Sequence, residues 1–229
     1  MRNMAVSHTR EREVFKFVQN KMQGTGVKSH KVQPVVLRLF SPVTASDRTI
    51  SFNLSAGDGK SIVPELEYMV LSGRVAIVFA GGFGFCRVPL EGGKEQWAFA
   101  EYTSNPYNTD IVPAANRKAI LAAYNGFTLF KTNDVDRLAK LATSVFLGES
   151  PDEVKNSIKH VMFPAAYTLI GGEENVWRVS IPTVGDLTTI IGDTQETPTF
   201  KYYAVAELRG FEIVESGGNQ AKIARALNS

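Results

Sequence analysis

The chain has one cysteine, three histidines and no long hydrophobic run, and each shortage removes a class of function. With Cys86 alone, neither an internal disulfide nor a cysteine-rich metal site can form. The flanking Phe83-Gly84-Phe85-Cys86-Arg87-Val88 alternates as a strand does, so the thiol is expected to be buried rather than reactive. His8, His30 and His160 are too scattered to set two metal ligands on one helix face, and none neighbours Cys86. The longest apolar stretch, Val75 to Phe85, is about half the ~20 residues needed to cross a bilayer. The first residues are charged throughout and lack the apolar core of a secretory signal, so the expected site of synthesis is a reducing cytoplasm.

Catalytic signatures are missing as well. There is no G-x-S-x-G elbow and no H-E-x-x-H pair. Gly57-Asp58-Gly59-Lys60-Ser61 ends like a phosphate-binding loop, but Leu54 stands where the first glycine of that loop must lie, which makes the segment a turn between strands. Gly82 and Gly84 do not extend to G-x-G-x-x-G, because Arg87 occupies the third glycine position. Asp134 and Asp136 suit a helix start, and Glu173-Glu174 an exposed turn. No catalytic, cofactor-binding or metal-binding residue is assigned. An enzyme remains only as an alternative, with its site scattered over loops.

What is present is a globular composition, 44% hydrophobic and 21% charged, on a chain long enough for one large β domain or two small ones. The charge is unevenly placed. Residues 1–31 hold seven basic side chains, Arg2, Arg10, Arg12, Lys16, Lys21, Lys28 and Lys31, against Glu11 and Glu13. That segment is +5, which leaves −3 for the rest of a chain whose net charge is +2. Val14, Val18 and Met22 recur at helical spacing within it, so an amphipathic helix is expected from Arg10 to Met22, capped by Ser7 or Thr9 and ended by Gly24 and Gly26. Its apolar stripe is too narrow for a core helix and must dock on something.

From Val32 the period changes to two. Strands are expected at Val32 to Phe40, Arg48 to Leu54, Leu66 to Leu71, Arg74 to Phe79, Gly84 to Val88 and Gln96 to Tyr102, with Gly81-Gly82 among the separating turns. A helical interlude follows, with one helix from Pro113 to Asn125-Gly126, a second from Asn133 or Asp134 to Gly148, and a third from Ser150-Pro151 to Val161. The strand Phe127 to Lys131 lies between the first two. Strands resume at Tyr167 to Ile170, Val176 to Ile181, Leu187 to Ile191 and Phe200 to Val214, and Asn219 caps a short helix through Leu227. Short strands at this spacing, with glycine turns, indicate an antiparallel β-sandwich or barrel. Aromatic side chains, among them Phe52, Phe83, Phe85, Phe99, Phe127, Trp177 and Phe211, sit in or at the ends of these strands, and alternation is expected to put many of them into the interior.

Several of these segments together resemble a known family. Asn105-Pro106-Tyr107 leads through an Ala-rich helix into Ala123-Tyr124-Asn125-Gly126-Phe127-Thr128-Leu129-Phe130-Lys131. Gly171-Gly172-x-x-Asn175 precedes the strand Val176 to Pro182, and Leu208-Arg209-Gly210-Phe211-Glu212-Ile213 ends the β region. This order is similar to that in jelly-roll capsid proteins of tailless icosahedral bacteriophages. The resemblance implies a virion shell protein, located in the virion, that assembles with itself as trimeric or other symmetric capsomers and with other virion proteins. It carries no catalytic residue. Members with two stacked barrels need about sixteen strands, more than are legible here, so a single jelly roll is favoured.

The resulting expectation is a mainly β, antiparallel jelly-roll β-sandwich with inserted helices and an N-terminal amphipathic helix. Residues 1–31 form a basic arm and 32–229 the β domain, with a split into two compact barrels near residue 131 as the alternative. The function expected is that of a self-assembling bacteriophage capsid subunit. A nucleic-acid-binding protein using the arm is the runner-up. Arg10, Arg12, Lys16, Lys21, Lys28 and Lys31 are expected to extend from the body toward packaged nucleic acid, an inner membrane surface or an acidic groove on a neighbouring copy.

Overall fold

The computed structural model describes residues 2–27, 30–43, 49–55, 67–105, 121, 123–133, 135–136, 141–148, 158–181, 199–215 and 217–229. Helix α1 (Arg2–Thr25) is followed by β1 (His30–Pro42), β2 (Thr49–Asn53), the long β3 (Arg74–Glu91), β4 (Lys94–Glu95) and β5 (Glu101–Thr103). Next come β6 (Phe127–Thr132), β7 (Val135–Asp136), β8 (Leu141–Ala142), β9 (His160–Ile170), β10 (Asn175–Ser180), β11 (Phe200–Glu215) and helix α2 (Gln220–Asn228). Every strand pair between these elements is antiparallel.

The strand order is that of a jelly roll. In the larger sheet β11 lies between β1 and β3, and β9, β5 and β4 share the far edge of β3 in succession. In the smaller sheet β10 lies between β2 and β6, and β7 and β8 pair with β6. The principal orders are therefore β1-β11-β3-β9 and β2-β10-β6-β7, in which the chain keeps crossing from one sheet to the other. Two Greek keys wrapped in this way make a double-sheet roll without leaving long open edges. Strands from both halves of the chain interleave in each sheet, and a division near residue 131 would cut β6.

Period-two alternation supplies the core between the sheets. Leu37 and Leu39 of β1, Phe83 and Phe85 of β3 and Leu208 of β11 face Ile50 and Phe52 of β2, Phe130 of β6 and Trp177 and Val179 of β10. Trp177 is the centre of this layer, stacked on Phe130 at 5.6 Å and edge-on to Phe146 at 5.7 Å. Phe130 in turn stacks on Tyr167 at 4.5 Å. Burying each such ring is worth about 1.5–3 kcal/mol, so the aromatic layer is a major source of stability.

Several expectations need correction. Of the strand expected from Leu66 to Leu71, the described residues form only isolated bridges at Tyr68 and Val70. Gly81-Gly82 is not a turn: β3 runs unbroken from Arg74 to Glu91, and the glycines are where other groups approach the strand. A Cβ on Gly81 would come within 2.5 Å of Phe163, and one on Gly82 within 2.6 Å of the Lys159 carbonyl oxygen. The helix expected after Asn133 is instead β7, β8 and a 3-10 turn at Thr143–Phe146, since Asn133 takes a left-handed φ of 48° that turns the chain. Gln96 to Tyr102 is divided into a 3-10 turn at Trp97–Phe99 and β5; Phe99 is 69% exposed, and Phe211 is on the outer face of the larger sheet, so neither ring fills the interior. Val161, expected to end a helix, lies in β9. Ile158 and Lys159 before it are not helical either; residues 150–157 of that helix, most of the helix from Pro113, the Leu187 to Ile191 strand and the Gly57 to Ser61 turn lie outside the described residues.

The N-terminal helix is longer than its periodicity suggests and ends where Gly26 adopts a φ of 68°. It does not extend from the body. Val14, Val18 and Met22 pack with Val75, Ile77, Phe79, Phe211 and Ile213 on the outer face of the larger sheet, beside Ile223, Ala224 and Leu227 of α2. The physical reason is that this part of the sheet is apolar on both faces and needs a cover, which the narrow stripe of α1 and the stripe of α2 provide together.

Candidate functional site

The outer face of the larger sheet is the part of the molecule where charge, helices and exposed surface meet. Its floor changes character along the strands. Toward Ile77 and Ile213 it is apolar and lies beneath α1 and α2. Toward Cys86 and Tyr203 a second apolar cluster, including Phe40, Val88 and Val205, is roofed by Trp97 from the segment between β4 and β5 and by Tyr102 of β5. Trp97 packs 4.9 Å from both Phe40 and Tyr203, so it serves as a cover for the cluster. Burial pushes the Cys86 thiol up to about 12, which leaves it protonated and unreactive, as its alternating neighbours suggested.

A polar row crosses the sheet between these two covers. Arg38 stands directly opposite Glu207, Glu207 opposite Gly82, and Gly82 opposite His160. Because Gly82 contributes no side chain, Glu207 spans the gap. One of its oxygens accepts from Arg38 Nε at 2.6 Å and the other lies 3.1 Å from His160 Nε2, at an angle short of a good hydrogen bond. Burial opposes ionisation of Glu207, but the contact with His160 and the charge of Arg38 outweigh it and hold the carboxyl below its usual range. The Arg38 guanidinium also lies 5.5 Å from the Tyr102 ring centre.

Two further carboxylates are similarly engaged. Glu212 is fully buried, and its Oε2 accepts from Gln33 at 3.1 Å, Tyr68 at 2.8 Å and Arg74 at 2.9 Å. Glu95 accepts from Lys201 at 2.6 Å, Tyr203 at 2.7 Å and Trp97 Nε1 at 2.9 Å. These groups join residues far apart in the chain and act as cross-braces between strands and their covers. None pairs a nucleophile with a base. Among the described residues no group of three or more His, Cys, Asp and Glu could hold a metal ion, and no helix is long and apolar enough to cross a membrane. Two shallow depressions of about 310 and 300 Å³ lie where α1 meets the sheet, lined by Glu11, Phe15, Pro34, Val36, Arg209 and Phe211 among others.

The two short motifs of the sequence have structural roles in the smaller sheet. Asn175 is buried, and its Nδ2 contacts Ser55 Oγ at 2.6 Å and the carbonyl oxygens of Ile170 at 2.8 Å and Glu173 at 3.1 Å. Its Oδ1 accepts from Thr132 Oγ1 at 3.0 Å. One side chain thus ties the β9–β10 turn to the ends of β2 and β6. Tyr124 is also buried and donates to the Phe83 carbonyl at 3.3 Å, while Gly126 passes so close to β10 that a Cβ would lie 1.8 Å from the Ser180 oxygen.

Of the basic residues singled out in the sequence, Arg10, Arg12 and Lys16 are exposed on α1, and Lys31 is exposed on β1. Lys21 is half-buried, donates to Ser229 Oγ at 3.3 Å and lies 5.5 Å from the Phe17 ring centre. Arg10 pairs with Glu13 at 3.3 Å. Lys28 lies outside the described residues. The fold brings Lys222 and Arg225, exposed on α2, to the same side of the molecule, which sequence reasoning missed. The helix itself was legible, but only packing shows that it lies beside α1.

No protein-family model and no curated protein sequence matches the chain. Solved structures similar to it include a quasi-atomic model of the PBCV-1 virus capsid, with a TM-score of 0.32 and 7% identity. PBCV-1 VP54 fitted into a cryo-EM reconstruction of the virophage Sputnik is similar too, with a TM-score of 0.33 and 7% identity. Each likeness covers 86% of this chain and 45% of the other, so the chain spans less than half the length of either.

Proposed function

We propose that this chain is a virion structural protein, a bacteriophage shell subunit that assembles with copies of itself through symmetric contacts and performs no catalysis. The observation that carries this reading is the filled interior of the jelly roll. Jelly rolls serve as capsid bricks, lectins and cupins, and a cupin needs room inside the roll for its ligand. Here the space between the sheets is occupied by Trp177, Phe130, Phe163, Tyr167, Phe83 and Phe52, packed ring against ring. A roll packed solid in this way offers its outer surface for use. The basic face of α1 is then the side turned to the particle interior, toward its anionic contents.

Light scattering on the purified chain tests the reading. A shell subunit forms trimers or other symmetric oligomers with no added ligand, each contact burying more than ~1,200 Å². A strict monomer at every concentration would sink it.

A further inference from the structure

We infer that α1 and α2 together form a binding face for the phosphate backbone of nucleic acid, built from the two ends of the chain. The two helices share one apolar cluster on the outer face of the larger sheet, and Lys21 of α1 reaches Ser229 just beyond α2. Their buried faces are Val14, Val18 and Met22 on one and Ile223, Ala224 and Leu227 on the other. Outward they present Arg10, Arg12, Lys16, Lys222 and Arg225, with Lys21 at the junction. Residues 220–229 contain no acid, and among the described residues only Arg10 of these six cations is ion-paired, with Glu13. Lys222 and Arg225 lie three apart on α2, as Arg12 and Lys16 lie four apart on α1, so each pair shares a face.

Charge alone would suit an anionic bilayer equally well, but the packing favours a nucleic acid. An amphipathic helix binds a membrane by burying its apolar face among the lipids. Among the described residues, the apolar faces of both helices are already committed to the sheet. Among the described residues, what remains outward is on balance cationic, with one large ring, Phe17, 39% exposed beside the Lys21 ammonium. A single ring is a poor lipid anchor and a sufficient stacking surface for a base. The inference rests on the shell reading for which way the face points in a particle, and not for whether it binds.

The test uses the full chain and a fluorescein-labelled single-stranded oligonucleotide, followed by anisotropy over a salt series. Binding should weaken steeply with salt. The Lys222→Gln/Arg225→Gln double variant should lose roughly tenfold or more in affinity at about 0.1 M salt, and its log–log salt slope should fall by about 1.4. Lys94→Gln, on the distant β4, should leave the slope unchanged. Equal thermal melting of the variants shows that folding is intact. A double variant with the wild-type slope overturns the inference. So does a chain that ignores the oligonucleotide, whether it binds phosphatidylserine vesicles or nothing at all. Light scattering on the same samples reports the shell reading separately: a monomer that binds the oligonucleotide removes only that reading, and an assembling chain that does not bind it removes only this inference.

Discussion

At the scale of single residues, Asn175 and Glu207 show how one side chain can hold distant strands together. Asn175 bonds to Thr132 of β6, to Ser55 just beyond β2 and to Ile170 of β9 in the larger sheet, while fully buried. Asn175→Ala leaves Thr132, Ser55 and two carbonyls without their partner and should cost about 3 kcal/mol, read as a lower denaturation midpoint. Glu207 has a consequence in pH. Its folded carboxyl sits below the ordinary 4.5, so the stabilisation is present in full above the unfolded value and is lost as pH falls through the folded one. Glu207→Gln should therefore be less stable than wild type at neutral pH, and the gap should narrow below about pH 4. Urea midpoints measured from neutral pH to about pH 3 check this, and a gap that stays constant would count against it. Cys86, buried and pushed up to about 12, should react with thiol reagents only once the chain unfolds.

At the scale of elements, α1 belongs to the fold as well as to the surface. Removing residues 1–23 would strip the cover from Val75, Ile77, Phe211 and Ile213. The truncated chain should melt at a clearly lower temperature, and Val18→Asp, which puts a charge into the same contact, should do likewise. Arg12→Gln and Lys16→Gln on the exposed face should leave melting unchanged. If the truncation melts like wild type, the packing of α1 contributes nothing and the helix acts as a detachable arm after all. Between β6 and β10 the limiting contact is the Gly126 backbone. Gly126→Ala has no room against the Ser180 oxygen and should destabilise by about 1–3 kcal/mol, visible by chemical denaturation.

At the scale of the whole molecule, early and late strands interleave in both sheets, so the described strands are expected to unfold together. β1 is held by β11 along its full length, and β2 by β10. A single unfolding transition, with calorimetric and van't Hoff enthalpies equal, is the expected outcome, and two resolved transitions would argue for separate barrels. The sequence by itself determined the β class, the positions of β1, β2, β6, β10 and β11, and the C-terminal helix, because alternation and helical spacing are local properties of side chains. It also marked Asn175 and Tyr124-Asn125-Gly126 as notable without showing what they join. The tertiary structure alone decided the rest. Gly81-Gly82 has the same composition in a turn as in a strand closely approached by Phe163 and Lys159, and only the neighbours tell the two apart. Asn133 can cap a helix or take a left-handed φ, and here the return of the chain along β6 selects the second. The row of Arg38, Glu207 and His160, and the alignment of Lys222 and Arg225 with the basic face of α1, exist only because strands and helices from opposite ends of the chain pack side by side.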